Sequence, residues 1–215
     1  KLSSSVGTAL SELIASGDAV GIYMEKCADA VAAFFATVYA GGFYSVLNTE
    51  LPQNRLQTTV SVLNPKVIVT SESLLKTAKE YFSERKIVTF EDLAKSEPDY
   101  AKLGEIRSHK IDTDPLYINF TSGSTGTPKG IVVCHRSVID FIDHFTEIFG
   151  IDNNDVIANQ APFDFDVSVK DIYSAVKTGA TLVVVPRRMF SAPAELIDFI
   201  CDSRITVMIW AVSAL

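Results

Sequence analysis

The chain has 215 residues, 47% of them hydrophobic, enough for one sizeable core or two smaller units sharing a sheet and too much for a disordered chain. Its 19 basic and 26 acidic residues leave a net charge of -7, the wrong sign for a protein that draws its affinity from neutralising phosphate backbones, so no nucleic-acid partner is expected. No segment reaches the roughly 18 apolar residues of a membrane span, and the start at Ser3, Ser4, Ser5 and Gly7 lacks a basic-then-apolar leader, so a cytoplasmic protein without a membrane partner is expected.

Apolar runs bounded by turn residues alternate with segments of helical period, the pattern of parallel strands linked by crossover helices, and the fold class is α/β: parallel sheets with flanking helices. Residues 19–24 read as a strand, 28–40 as a helix stopped by Gly41 and Gly42, and 43–47 as the next strand. Pro52 suits the first turn of a helix whose apolar face includes Val60 and Leu63, and Asn64-Pro65 ends it before a strand at 67–70. Ser71 can cap a helix running to about Phe82; a short strand at 86–89 and a polar, weakly structured stretch at 91–100 follow. The region 95–114 is the expected junction between a first subdomain, 1–110, and a second, 111–215.

Beyond it the spacing predicts strands at 116–120 and 130–134 around a Gly/Ser/Thr loop, a helix at 137–149, and a strand at 156–159. A helix at 169–176, a strand at 181–185, a helix at 193–202 and a strand at 206–210 complete the reading. Cys27, Cys134 and Cys201 are odd in number, far apart and without CxxC spacing, and read as reduced core thiols. His109, His135 and His144 form no HxxxH or HExxH pair, so no metal ligands are assigned.

The chemistry is concentrated in Thr121-Ser122-Gly123-Ser124-Thr125-Gly126-Thr127-Pro128-Lys129-Gly130. Glycines let a backbone approach a ligand and expose N–H groups, hydroxyls donate to phosphate oxygens, and a lysine brings a mobile positive charge. Thr127 and Pro128 separate Gly126 from Lys129, which excludes the adjacent Gly-Lys of a Walker A loop. No glycine stands two residues before Gly123, which excludes the dinucleotide fingerprint GxGxxG. A flexible surface linker is the plain alternative, but linkers do not usually join two buried strands.

From Tyr117 to Gly130 the sequence resembles the AMP-binding signature of the adenylate-forming superfamily, which contains acyl-CoA synthetases, luciferases and the amino-acid adenylation domains of non-ribosomal peptide synthesis. The stretch Ala40 to Asn48, with Pro52 and Arg55, is similar to a structural segment of that family. Ala161-Pro-Phe-Asp-Phe-Asp-Val-Ser-Val-Lys-Asp-Ile-Tyr173 resembles the Phe-Asp-x-Ser motif of amino-acid adenylation domains and D-alanine-carrier protein ligases.

The resemblance implies an ATP site made by Thr121, Ser122, Gly123, Ser124, Thr125, Gly126, Thr127 and Lys129, with the hydroxyls and the Lys129 charge on the β and γ phosphates. It implies that Asp166 holds the α-ammonium group of an amino acid, as a buried ammonium needs a carboxylate partner, and that Val167, Lys170 and Ile209 line the side-chain pocket. For Asp166 the competing reading is a cap on the helix that follows, a task Ser168 could also perform. Lys170 could meet an acidic or polar substrate side chain or point to water. His135 and the aromatic Tyr23, Tyr39, Tyr117 and Phe141 read as packing residues, and no residue is assigned a catalytic role.

The implied reaction uses ATP with Mg2+, makes an acyl-AMP from a carboxylic acid or amino acid, and passes it to the phosphopantetheine thiol of a carrier protein. The motifs that the family places further on, for adenine, ribose and the C-terminal lysine, are missing here. The chain is therefore expected to be an N-terminal fragment, inactive alone. The rivals are an acyl- or aryl-CoA ligase, which would leave Asp166 without an ammonium, and a non-catalytic ATP- or AMP-binding module.

Overall fold

The computed structural model describes residues 1–121 and 128–210, which fall into two compact units, Lys1–Arg136 and Ser137–Leu215. In the first unit, helix α1 (Leu2–Leu10) precedes strand β1 (Ala19–Tyr23), α2 (Ala28–Tyr39), β2 (Phe43–Val46), α3 (Gln53–Leu63) and β3 (Val67–Thr70). After a 3-10 turn at Glu72–Leu74 come α4 (Leu75–Tyr81), β4 (Ile87–Thr89), α5 (Phe90–Leu93), α6 (Tyr100–Ser108), β5 (Pro115–Thr121) and β6 (Lys129–Cys134). Helix α7 (His135–Phe149) begins at the boundary between the units.

The strands form one sheet in the order β4-β3-β1-β2-β5-β6. Every pairing is parallel except β5 with β6, which is antiparallel. All five residues of β1 are buried, as befits a central parallel strand covered on both faces. On one face Tyr23, Leu47, Leu56, Leu63 and Ile68 share a core with Phe82. Phe34 of α2 stacks on Tyr44 of β2 with ring centroids 4.5 Å apart. Gly41 takes φ +86°, the left-handed turn that ends α2, and Asn64 ends α3 with φ 47°.

Two expectations change. The helix expected from Ser71 is a 3-10 turn followed by the shorter α4, and the Ser71 hydroxyl meets that of Ser73 instead of capping. The stretch 91–100, read as weakly structured, holds most of α5 and leads into α6. Asp99 caps α6 by accepting from Lys102 N, the Thr8 hydroxyl of α1 accepts from Asp99 N, Lys102 pairs with Glu12, and Leu103 is buried. Tertiary contacts, absent from local pattern, order it. Strands β5 and β6 hydrogen-bond into the sheet of the first compact unit, which runs to Arg136.

In the second unit, β7 (Val156–Asn159), α8 (Ser168–Thr178) and β8 (Thr181–Val184) make a βαβ unit with β7 and β8 parallel. A 3-10 turn at Arg187–Ser191 and α9 (Pro193–Asp202) follow. Ile151, Ile157 and Ala175 form its core with Phe145, Leu182 and Val207. The strand expected at 206–210 is reduced to one bridge, Ile157 with Val207. The Ala158 N–H donates to Val207, but the Ala158 carbonyl, which would extend that ladder, accepts instead from the Trp210 indole at 3.0 Å. Among the described residues no helix is long and apolar enough to cross a membrane.

Candidate active site

The Gly/Ser/Thr segment leaves β5 at Thr121 and re-enters the sheet at Lys129, and these two residues are direct partners in the antiparallel ladder. Opposite residues of such a ladder project to the same face, so a hydroxyl and an ammonium stand side by side where the segment begins and ends. Both are exposed, while Pro128 between the segment and β6 is buried. Gly130 faces Phe120 in the register, and a Cβ there would lie 3.0 Å from Ile118 Cγ2, so close strand packing explains this glycine. Ser122, Gly123, Ser124, Thr125, Gly126 and Thr127 lie outside the described residues.

His135 follows β6 directly. Its backbone N–H donates to the Asp114 carbonyl at 3.2 Å, and its Nε2 is buried with no hydrogen-bond partner among the described residues. Burial, reinforced by the positive charge of Lys110, holds the imidazole below its usual range, against the pull of Asp114 and Asp112. Asp112 and Asp114 sit below the usual carboxylate range because Arg136 and Lys110, respectively, donate to them.

The second group of residues lies around the carboxyl end of β7, where open α/β sheets bind ligands. The loop from β7 to α8 carries Asp166, which is exposed. Its backbone carbonyl accepts from Val169 N at 3.0 Å, and its carboxylate has no hydrogen-bond partner among the described residues. The capping alternative fails for both candidates: Val167 holds the N-cap position without a side-chain bond, and the Ser168 hydroxyl donates to the Phe165 carbonyl at 2.7 Å. Val167 is 47% exposed, beside Phe165 at 57%. Ile209 is half-buried, next to Trp210, whose ring meets Phe190 edge-on at 5.4 Å.

Lys170 does not point to water. It is 8% exposed, and its Nζ donates to Asp171 Oδ1 at 2.6 Å, while Asp171 Oδ2 accepts from Asn159 Nδ2 at 3.0 Å. Asp171 and Asn159 were not singled out in the sequence. Asp171 adjoins Lys170, but neighbours on a helix do not face each other, and Asn159 is twelve positions before Asp171.

The fold is that of the N-terminal part of adenylation domains. It matches the adenylation domain of a keto acid-selecting non-ribosomal peptide synthetase module bound to a keto acyl adenylate with a TM-score of 0.82 at 21% identity, over 95% of this chain and 38% of that one. A four-domain non-ribosomal peptide synthetase bound to AMP and glycine matches with a TM-score of 0.78 at 22% identity, over 95% of this chain and 15% of that one. The chain belongs to the AMP-binding enzyme family, whose model matches residues 1–215. It is 30% identical over 199 residues to indigoidine synthase of Streptomyces lavendulae, covering 91% of this chain and 15% of that protein. It is 29% identical over 190 residues to zwittermicin A synthase ZmaJ of Bacillus cereus, covering 88% of this chain and 35% of that protein. The chain thus spans well under half the length of either.

Proposed function

We propose that the protein uses ATP to activate an amino acid as its acyl-AMP, releasing pyrophosphate, and hands the acyl group to the phosphopantetheine thiol of a carrier protein. Family membership supports the adenylating chemistry. The observation that carries the amino-acid reading is Asp166: a carboxylate free of any cap, in the loop at the carboxyl end of β7, suited to an ammonium group.

In the proposed reaction the acid's carboxylate oxygen attacks the α phosphorus in line; an O–P bond forms as the bond to the pyrophosphate oxygen breaks. Lys129 neutralises negative charge on the departing phosphates, and the Thr121 hydroxyl donates to their oxygens. Ser122, Gly123, Ser124, Thr125, Gly126 and Thr127 belong to the same proposed site. Among the described residues no three His, Cys, Asp or Glu side chains gather to hold a metal, and the ion proposed for the reaction is Mg2+. The ion would arrive on the ATP phosphates, the usual habit of an ion that keeps its waters. Val167 and Ile209 contribute apolar surface for the substrate side chain.

The test is ATP–pyrophosphate exchange by the full-length gene product over D- and L-amino acids and a set of fatty and aromatic acids. Exchange with an amino acid is expected. Exchange confined to fatty or aromatic acids would move the protein to the acyl- or aryl-CoA ligases and end the role given to Asp166. No exchange alongside tight ATP binding would favour a non-catalytic nucleotide module.

A further inference from the structure

Strand β5 carries an amide in the middle of an otherwise apolar run. Within Pro115–Thr121, Ile118 and Phe120 pack against the core that holds Tyr23 and Leu47, while the Tyr117 ring lies 5.8 Å from that of Tyr44. Side chains alternate along a strand, so Asn119 and Thr121 share the face of Tyr117 and not that of Ile118. Across the ladder Asn119 stands opposite Ile131, and Thr121 opposite Lys129. Asn is depleted in strands, and a half-buried amide without a hydrogen bond costs stability. Among the described residues the Asn119 amide has no hydrogen-bond partner, and neither has the Thr121 hydroxyl or the Lys129 ammonium. A residue that breaks the local strand rule without a structural gain points to a functional reason for its presence.

Strand β5 runs parallel to β2, so Thr121 lies at the carboxyl end of the sheet, the side on which α/β sheets bind ligands. Asn119 and Lys129 are diagonal neighbours in the β5–β6 ladder. That relation separates two residues by roughly 7–8 Å, which a long side chain can cross. Lysine has the reach, but its ammonium is a point charge on a flexible stem, with three donors and no fixed direction. A bound phosphate engages part of that donor set. As water leaves, the rest need another acceptor, and its chemistry matters. A carboxylate would cancel the charge that departing phosphates require. An amide oxygen accepts the hydrogen bond and leaves the charge intact.

Resting on the ATP-dependent activation proposed above, we propose that Asn119 is a positioning residue for Lys129. With phosphate bound, Asn119 Oδ1 accepts from Lys129 Nζ and fixes the ammonium on the Thr121 face without neutralising it.

ATP–pyrophosphate exchange by the full-length gene product, arranged as a double-mutant cycle, tests this. Asn119→Val should lower kcat/KM for ATP by roughly tenfold, the worth of a hydrogen bond to a charged group. In a Lys129→Ala background the same substitution should change kcat/KM by less than about twofold, because the residue it acts through is gone. The unfolding midpoint of Asn119→Val should hold or rise, since Val suits a strand better than Asn. Asn119→Asp, of the same shape, should lose at least as much activity as Asn119→Val, by answering the Lys129 charge. Equal losses in the two Lys129 backgrounds, a midpoint that falls in step with activity, or wild-type activity in either variant overturns the inference and leaves the adenylation reading standing. Exchange by the wild type with no acid at all defeats that reading, and this inference with it. Should Asn119→Val fail to fold, Asn119→Ser, too short to reach Lys129, takes its place in the cycle.

Discussion

The main-chain N–H of His135 is bonded to the carbonyl of Asp114, which anchors a half-buried imidazole whose Nε2 has no partner among the described residues. Burial and then Lys110 lower the pKa of this ring, so in the window below its usual value of about 6.5 the unfolded chain binds the proton more readily than the folded one. The stability contributed by neutral His135 is complete above that window and is lost as pH falls towards the folded value. Urea midpoints at pH 8 and pH 5.5 should therefore differ more for the wild type than for His135→Gln. His144, raised by its bond to the Asp140 carbonyl, titrates in the opposite sense but is common to both proteins and drops out of the comparison. Equal pH slopes would refute the assignment.

Lys129 is exposed on an edge strand, so its removal should cost function and spare the fold. Lys129→Ala is expected to lower kcat/KM for ATP by roughly 10- to 100-fold, the worth of a charge-assisted hydrogen bond, with no change in unfolding midpoint. Parallel losses in activity and stability would instead make it a structural residue.

Asp166 can be separated from its neighbours by substrate choice. Asp166→Ala should reduce amino-acid-dependent exchange by roughly 10- to 100-fold, the worth of a charge-assisted hydrogen bond to the ammonium. It should discriminate far less between the amino acid and the analogue lacking the α-amino group. If both substrates suffer equally, the carboxylate does not meet the ammonium.

Two glycines give stability effects of opposite sign. At Gly42 a Cβ would stand 2.8 Å from the Asp18 carbonyl, which is fixed by its bond from Phe43 N, so Gly42→Ala should cost about 1–3 kcal/mol. At Gly104, inside α6, a Cβ meets nothing within 4 Å, and Gly104→Ala should add about 0.4–1 kcal/mol. Denaturant midpoints of the two variants check both signs.

The parallel strands were legible because β1 and β3 are short, wholly buried runs between turn residues, β3 β-branched throughout, and Asn64 announced the end of α3. Helix α6 was not. Its sequence YAKLGEIRS has almost no apolar periodicity, and its order comes from Asp99, Thr8 and Glu12, two of them about 90 residues away. The sheet order was equally hidden, since β1 lies between β2 and β3 and only long-range pairing says so. In the candidate site, the resemblance to family motifs pointed to Asp166 and Lys170, and the loop's composition to Lys129. Neither could reveal that the charge of Lys170 is already answered by its neighbour, because that depends on burial and on Asn159 from another element.

The antiparallel pairing of β5 and β6 is the exception in an otherwise parallel sheet, and it changes how the Gly/Ser/Thr segment between them can vary. Each parallel connection must carry a helix across the sheet, so lengthening it displaces a packed layer. The chain between Thr121 and Lys129 begins and ends on partners roughly 5 Å apart. Its length and composition can drift without a helix having to move, so the segment proposed to meet ATP is insulated from the part that keeps the protein folded. Substitutions within 122–127 should accordingly alter nucleotide handling far more readily than they alter the cost of unfolding.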